Sequence, residues 1–129
     1  MNYQIYNIIT LYAISIVFWL SLVLYREYNK TDVNILRKCI IPKICNGWCF
    51  LHFIHYTFLG YLAPDYWKSL IIIGIIFELI EIPLNHLSKY IDSKLIMDTI
   101  TNSSGVIFGL LLYKLFPNDI NLISILKLK

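Results

Sequence analysis

Residues 70-LIIIGIIFELIEIPL-84 read as one membrane-spanning helix with two carboxylates, Glu78 and Glu81, near its end. A carboxylate in hydrocarbon costs roughly 2.5–3.5 kcal/mol on insertion scales. Two of them three residues apart on one helix face need a reason. The usual reasons are a metal, a proton relay, or a polar pocket turned away from lipid. This stretch therefore fixes both the fold class and the place to look for function.

The rest of the 129-residue chain agrees with a membrane setting. It is 58% hydrophobic and 15% charged, with mean hydropathy +0.66. Soluble domains carry about 25% charged residues. The expected fold is all-α, a single transmembrane domain over 1–129 with about four transmembrane helices. The spans are read at 5–25, 44–62, 67–85 and 98–116. The first is Ile-, Leu- and Tyr-rich and uncharged, and reads as an anchor that only packs. It lacks a basic leader and is too long for a cleaved signal, so it is expected to be retained. Residues 33–40 could form a short interfacial helix, and 120–129 is too short to span.

The net charge of +3 speaks to topology rather than to nucleic acid, because no Arg-rich patch with interleaved aromatics is present. Arg26, Lys30, Arg37, Lys38 and Lys43 sit in the first connector, and Lys89 and Lys94 in the third. By the positive-inside rule these connectors face the cytosol and both termini lie outside. Cys39, Cys45 and Cys49 contain no C-x-x-C pair, and free thiols are expected.

The remaining polar residues converge in depth. His52 and His55 lie early in span two, Glu78 and Glu81 late in span three, and Asp98 and Asn102 early in span four. Alternating span direction brings all six to one leaflet. Asp98 and Asn102 are i,i+4, and Gly105 and Gly109 form a GxxxG step that allows close helix approach. Three carboxylates with the Asn102 oxygen would suit a hard cation. His52 beside them is a candidate general base. Each residue also has a plainer reading. Asp98 could cap span four, Asn102 could tie helices together, the glutamates could reach headgroups, His55 could simply pack, and His86 could be interfacial.

On the stretches 51-LHF-53, 64-PDYW-67, 77-FELIE-81, 86-HL-87 and 97-MDTITNSSGVIFG-109, the chain resembles the base-exchange phosphatidylserine synthases. The resemblance covers roughly residues 47–113. It implies membrane-embedded exchange of a phospholipid's choline or ethanolamine for serine, with Ca2+ as cofactor and Mg2+ or Mn2+ as substitutes. Phospholipid and serine would be the substrates. His52 would then be the catalytic base, Glu78, Glu81 and Asp98 the metal ligands, and Asn102, His55 and His86 substrate or supporting residues. Those enzymes have more spans, and their acid-containing segment is shortened here to 88–97, with Asp92 as its remnant. The stretches 52-HFIHYTFLG-60 and 98-DTITNSSGVIFG-109 also resemble the VanZ-like family of small membrane proteins, although Glu81 stands where that pattern has glutamine. That resemblance implies a non-enzymatic or undefined role, such as a channel, transporter subunit or assembly factor. A homo-oligomer is compatible with either. The expected location is a reticulum-type or host membrane, or a bacterial plasma membrane.

Overall fold

A computed structural model describes residues 2–30, 39–41, 45–84 and 95–126. His86, Asp92 and most of the first and third connectors lie outside the described residues, and so does 33–38 of the interfacial helix expected at 33–40.

Helix α1 runs Tyr3–Asn29. The Asn2 side chain caps it by accepting from the Gln4 N–H at 3.0 Å. It closes at Lys30 in the left-handed region, φ 54°. Strands β1 (Cys39–Ile41) and β2 (Cys45–Asn46) pair antiparallel, with Cys39 opposite Asn46. Residues 39–41 are thus strand rather than the end of an interfacial helix.

Helix α2 spans Gly47–Leu62. It starts later than the span expected from 44 because Asn46 serves as its cap, its Oδ1 accepting from the Cys49 N–H at 3.1 Å. A 3-10 turn, Pro64–Tyr66, leads into helix α3, Trp67–Leu84. Helix α4 covers Leu95–Leu115. Asp98 therefore lies inside its first turn and is not its cap. Helix α5, Leu122–Leu126, ends the described chain.

The fold is all-α. Among the described residues, two helices are long and apolar enough to cross a membrane: α1, with mean hydropathy 2.2, and residues Ile96–Leu115 of α4, with 1.2. At 1.5 Å per residue, the 16 residues of α2 extend only about 24 Å, short of the roughly 30 Å hydrocarbon core. Helix α3 is diluted by Lys68, Glu78 and Glu81.

The closest packing is between α2 and α4. A Cβ on Gly105 would stand 2.7 Å from the Phe53 carbonyl oxygen. Cβ atoms on Gly109 and Gly60 would collide with the carbonyls of Thr57 and Val106 respectively. Glycine is needed at these positions because backbone meets backbone. Helix α3 packs on α4, and α1 packs on α2.

A small apolar core of Tyr56, Leu59, Ala63, Leu70 and Val106 sits at the C-terminal end of α2. The start of α1 is tied to the same end. The Gln4 amide donates to Asp65 at 2.8 Å. Buried Asn7 donates to the carbonyls of Leu62 (3.1 Å) and Ile120 (2.7 Å) and accepts from the Leu122 N–H (2.9 Å). One side chain thus fastens the first helix, the end of α2 and the tail.

Beside this apolar core, polar side chains are buried and many large apolar ones face outward. Gln4, Asn7, Arg26, Glu78, Glu81, Asp98, Thr101 and Asn102 are buried, while Ile9, Val17, Leu24, Phe58, Ile72, Ile96 and Leu111 are exposed.

Two outcomes follow from this packing. Gly109→Val will force α2 and α4 apart and cost at least about 1–3 kcal/mol, read as a lowered unfolding temperature in detergent. Asn7→Ala will strand the buried Leu62 carbonyl and release the part-buried Ile120 carbonyl and Leu122 N–H, a loss of roughly 1–3 kcal/mol. It will also speed hydrogen exchange at Leu122 before the α2–α4 pair is affected.

Candidate functional site

His52 projects from the second turn of α2, three residues beyond Cys49. Glu78 comes from the latter half of α3, and Asn102 from the second turn of α4. The α2–α4 contact and the packing of α3 on α4 bring these three side chains together. Asn102 Nδ2 donates to Glu78 Oε1 at 2.6 Å. His52 Nδ1 lies 3.0 Å from Asn102 Oδ1 and 3.4 Å from Glu78 Oε1.

The direction of these bonds follows from the groups. A carboxylate only accepts, so the amide NH2 of Asn102 must face Glu78 and its oxygen must face the histidine. That oxygen in turn requires N–H at His52 Nδ1. The tautomer so fixed leaves the lone pair on Nε2. An amide that orients a histidine, backed by a buried acid, is an arrangement suited to taking a proton at Nε2 and holding the resulting imidazolium against negative charge.

Glu78 is 1% exposed, and its Oε2 has no hydrogen-bond partner among the described residues. Glu81, one turn on, is buried on the same face of α3, and Asp98 is buried one turn before Asn102 on α4. The six residues expected at one depth thus divide. His52, Glu78 and Asn102 join in one hydrogen-bonded chain, with Glu81 and Asp98 buried near it. His55 turns to a different partner.

His55 Nδ1 is 2.9 Å from Ser15 Oγ on α1. Its ring meets Tyr12 and Tyr56 edge-on, at 5.4 and 5.2 Å between centroids. Tyr12 also stacks on Phe77 of α3. The anchor helix therefore does more than the packing expected of it. Ser15 and Tyr12 gave no signal in the sequence, since a lone serine or tyrosine is common in an apolar span. Only the pairing across 40 residues marks them.

Between α1, α2 and α3 lies a cavity of ≈ 460 Å³. Ile16, Phe18 and Trp19 of α1, Trp48 and Leu51 of α2, and Ile80 and Leu84 of α3 give it apolar walls. Ser15, His52, His55, Glu78 and Glu81 are its polar lining. Toward the core end, the Tyr12–Phe77 stack joins α1 to α3. At the other end the Arg26 guanidinium lies 4.8 Å over the Trp48 ring.

The fit of a metal to this arrangement can be judged from its donors. Among the described residues no three His, Cys, Asp or Glu side chains are grouped so as to hold a metal ion. Asn102 gives its oxygen to His52 and its N–H to Glu78, which leaves one lone pair on that oxygen and on Glu78 Oε1. A calcium shell would require Glu78, Glu81 and Asp98 to be drawn together.

Cys45 and Cys49 are joined as a disulfide, with Cα atoms 5.4 Å apart. This corrects the expectation of free thiols for Cys45 and Cys49. The capping of α2 by Asn46 turns the chain so that residues four apart meet across the strand–helix junction. The bridge sits one turn before His52.

Compared with known proteins, the chain matches no family model, no curated protein and no solved structure.

Replacing Asn102 by leucine will remove the shortest hydrogen bond to buried Glu78 and leave His52, 3.4 Å from Oε1, as its remaining donor among the described residues, a loss of about 1–3 kcal/mol. The double change Asn102→Leu with Glu78→Leu will recover part of that loss, because the buried carboxylate is gone, while His52 Nδ1 loses both of its partners. Thermal unfolding of the single and double variants measures both; equal stability of the single variant and the parent would show that the bond is not made.

Proposed function

We propose that the chain is an integral membrane protein crossing four times, and that its cleft works on phospholipid headgroups with His52 as the proton-moving residue. The observation that carries this reading is the His52–Asn102–Glu78 chain on the wall of a 460 Å³ cavity. Buried polar groups inside and exposed Ile, Leu and Phe outside suit a chain solvated by lipid. Helices α2 and α3 would then span as partners of α4 rather than on their own hydropathy. Their polar side chains face one another instead of lipid.

The specific reaction is the one the resemblance to phosphatidylserine synthases implies. Nε2 of His52 takes the proton from the serine hydroxyl. The freed oxygen attacks the phosphorus of the phosphodiester. The bond from phosphorus to the choline or ethanolamine oxygen breaks, and the leaving alkoxide recovers the proton from the imidazolium. Glu78, through Asn102 and directly at 3.4 Å, offsets the positive charge of the imidazolium between the two proton transfers. The Ca2+ implied by the same resemblance would neutralise phosphate when bound. His55 and Ser15 would shape the substrate cavity.

A second reading has its own support. The Asn102–Glu78 bond is also an interhelical tie between α4 and α3, as expected of a VanZ-like protein with a channel, transporter or assembly role.

A headgroup-exchange assay separates the two. Protein in vesicles of phosphatidylcholine and phosphatidylethanolamine receives labelled serine, with calcium or with a chelator. The enzyme reading expects calcium-dependent labelling of lipid. His52→Ala is expected to lower it about 10²–10⁴-fold, and Glu78→Gln to lower it as well. Absence of labelling from protein shown to be folded would sink serine exchange and leave the VanZ-like reading.

A further inference from the structure

We infer that Ser15 and His55 form a nucleophile–base pair that cleaves an acyl ester of the lipid held in the cavity, carrying the acyl group on Ser15. This rests on the reading of the cleft as a phospholipid site. It goes further by adding an ester-cleaving activity to the headgroup chemistry assigned to His52, and by giving the second histidine a task of its own.

Two independent observations point to it. The first is the pairing. Ser15 Oγ lies 2.9 Å from His55 Nδ1. The hydroxyls of Ser21, Thr57 and Thr101 each donate at 2.7 Å to the carbonyl four residues earlier in their own helix, the ordinary resting place of such a group. The Ser15 hydroxyl instead meets a histidine on another helix, 40 residues along the chain. With the hydroxyl donating, the Nδ1 lone pair is aimed at the proton that must leave. A serine within hydrogen-bond reach of a base that is itself held in place is the arrangement nucleophilic catalysis requires. Here the rings of Tyr12 and Tyr56 meet the imidazole edge-on and hold its plane.

The second observation is the setting. Ser15 and His55 are both half-buried, and both line the ≈ 460 Å³ cavity together with His52. His55 follows His52 by three residues on one face of α2, which places it about 4.5 Å further from the start of that helix. A phosphodiester at His52 therefore leaves the next polar bonds of a phospholipid, its glycerol esters, at the depth of Ser15. The chemistry balances without a further cofactor. His55 Nδ1 takes the Ser15 proton, and Oγ attacks the ester carbonyl carbon. The bond from that carbon to the glycerol oxygen breaks, the glycerol oxygen takes the proton from Nδ1, and a lysolipid leaves. A hydroxyl, of water or of a second lysolipid, then gives its proton to Nδ1 and its oxygen to the acyl carbon. Oγ recovers the proton as the acyl group departs.

The test uses the full chain in phosphatidylcholine vesicles and two reagents: an alkyl fluorophosphonate, which phosphonylates activated serines, and phosphatidylcholine labelled in its acyl chains. The adduct is mapped by mass spectrometry, and lysophosphatidylcholine, free fatty acid and newly acylated lysolipid are measured from the lipid. An adduct on Ser15 and release of lysophosphatidylcholine are expected. Ser15→Ala should abolish both. His55→Phe, which keeps a ring against Tyr12 and Tyr56, should lower both about 10²–10⁴-fold. Ser21→Ala, an exposed position on the same helix, should leave both unchanged. Labelled fatty acid identifies water as the acceptor, and newly acylated lysolipid identifies a lysolipid; either supports the pair. Absence of an adduct on Ser15 in folded protein, or an equal adduct in His55→Phe, would overturn it. Serine exchange is followed in the same vesicles. Exchange that depends on His52 without lysolipid release would overturn the ester activity and leave the headgroup reading standing; lysolipid release that depends on Ser15 without exchange would do the reverse.

Discussion

The backbone contact between α2 and α4 is the constraint on which the rest of the molecule depends. Gly60, Gly105 and Gly109 remove the side chains that would hold these helices apart. At that separation His52 reaches Asn102 directly, at 3.0 Å. A larger side chain at any of these glycines would displace α4 from α2 and shift His52 relative to Asn102. The glycines thus act on the chemistry without touching it. Helix α3 then has one surface on which its acids can be satisfied, the side of α4 that carries Asn102. Helix α1 is held by its ends and by the His55 pairing, and the cavity is the space left where α1 and α3 do not follow the same neighbour.

Much of this was legible from spacing. The all-α fold follows from the hydrophobic runs, and the approach of α4 to another helix from the GxxxG step at Gly105 and Gly109. The common depth of His52, Glu78 and Asn102 follows from alternating span direction alone. What spacing does not contain is which donor meets which acceptor. Asp98 was open as a helix cap, but α4 already includes Leu95, so Asp98 lies within its first turn. Asn46 was not read as a cap, and so the start of α2 and the meeting of Cys45 with Cys49 were missed together. Asn7 looked like one polar residue in an anchor. Its three bonds reach residues 55 to 115 positions away, and no local pattern encodes that distance. Ser15 is the same case at shorter range.

The polar cluster shows how a site can be expected in the right place with its bonding left open. Three acids and an amide at one depth suit a hard cation by composition. Among the described residues the side chains form a directional chain in which the amide links the acid to the histidine. Asn102 presents oxygen to one neighbour and N–H to the other, and composition alone does not encode that orientation. The chain fixes one imidazole tautomer and keeps a buried negative charge within 3.4 Å of it. Such a pair serves a proton transfer whether the acceptor is a soluble or a lipid-borne alcohol.

Buried Glu78 has a consequence for how the protein is made. On the four-span reading, α1 carries no charged residue before Arg26 and can settle in hydrocarbon unaided. Helix α3 emerges from the ribosome with Lys68, Glu78 and Glu81. The donor that satisfies Glu78 lies 24 residues further along the chain. Until Asn102 has been synthesised, that carboxylate lacks its shortest hydrogen bond and has only His52, already made, beside it. On that reading α3 gains its full set of partners only when α4 follows it. The polar bond that organises the site in the mature protein thus ties the completion of α3 to the synthesis of α4.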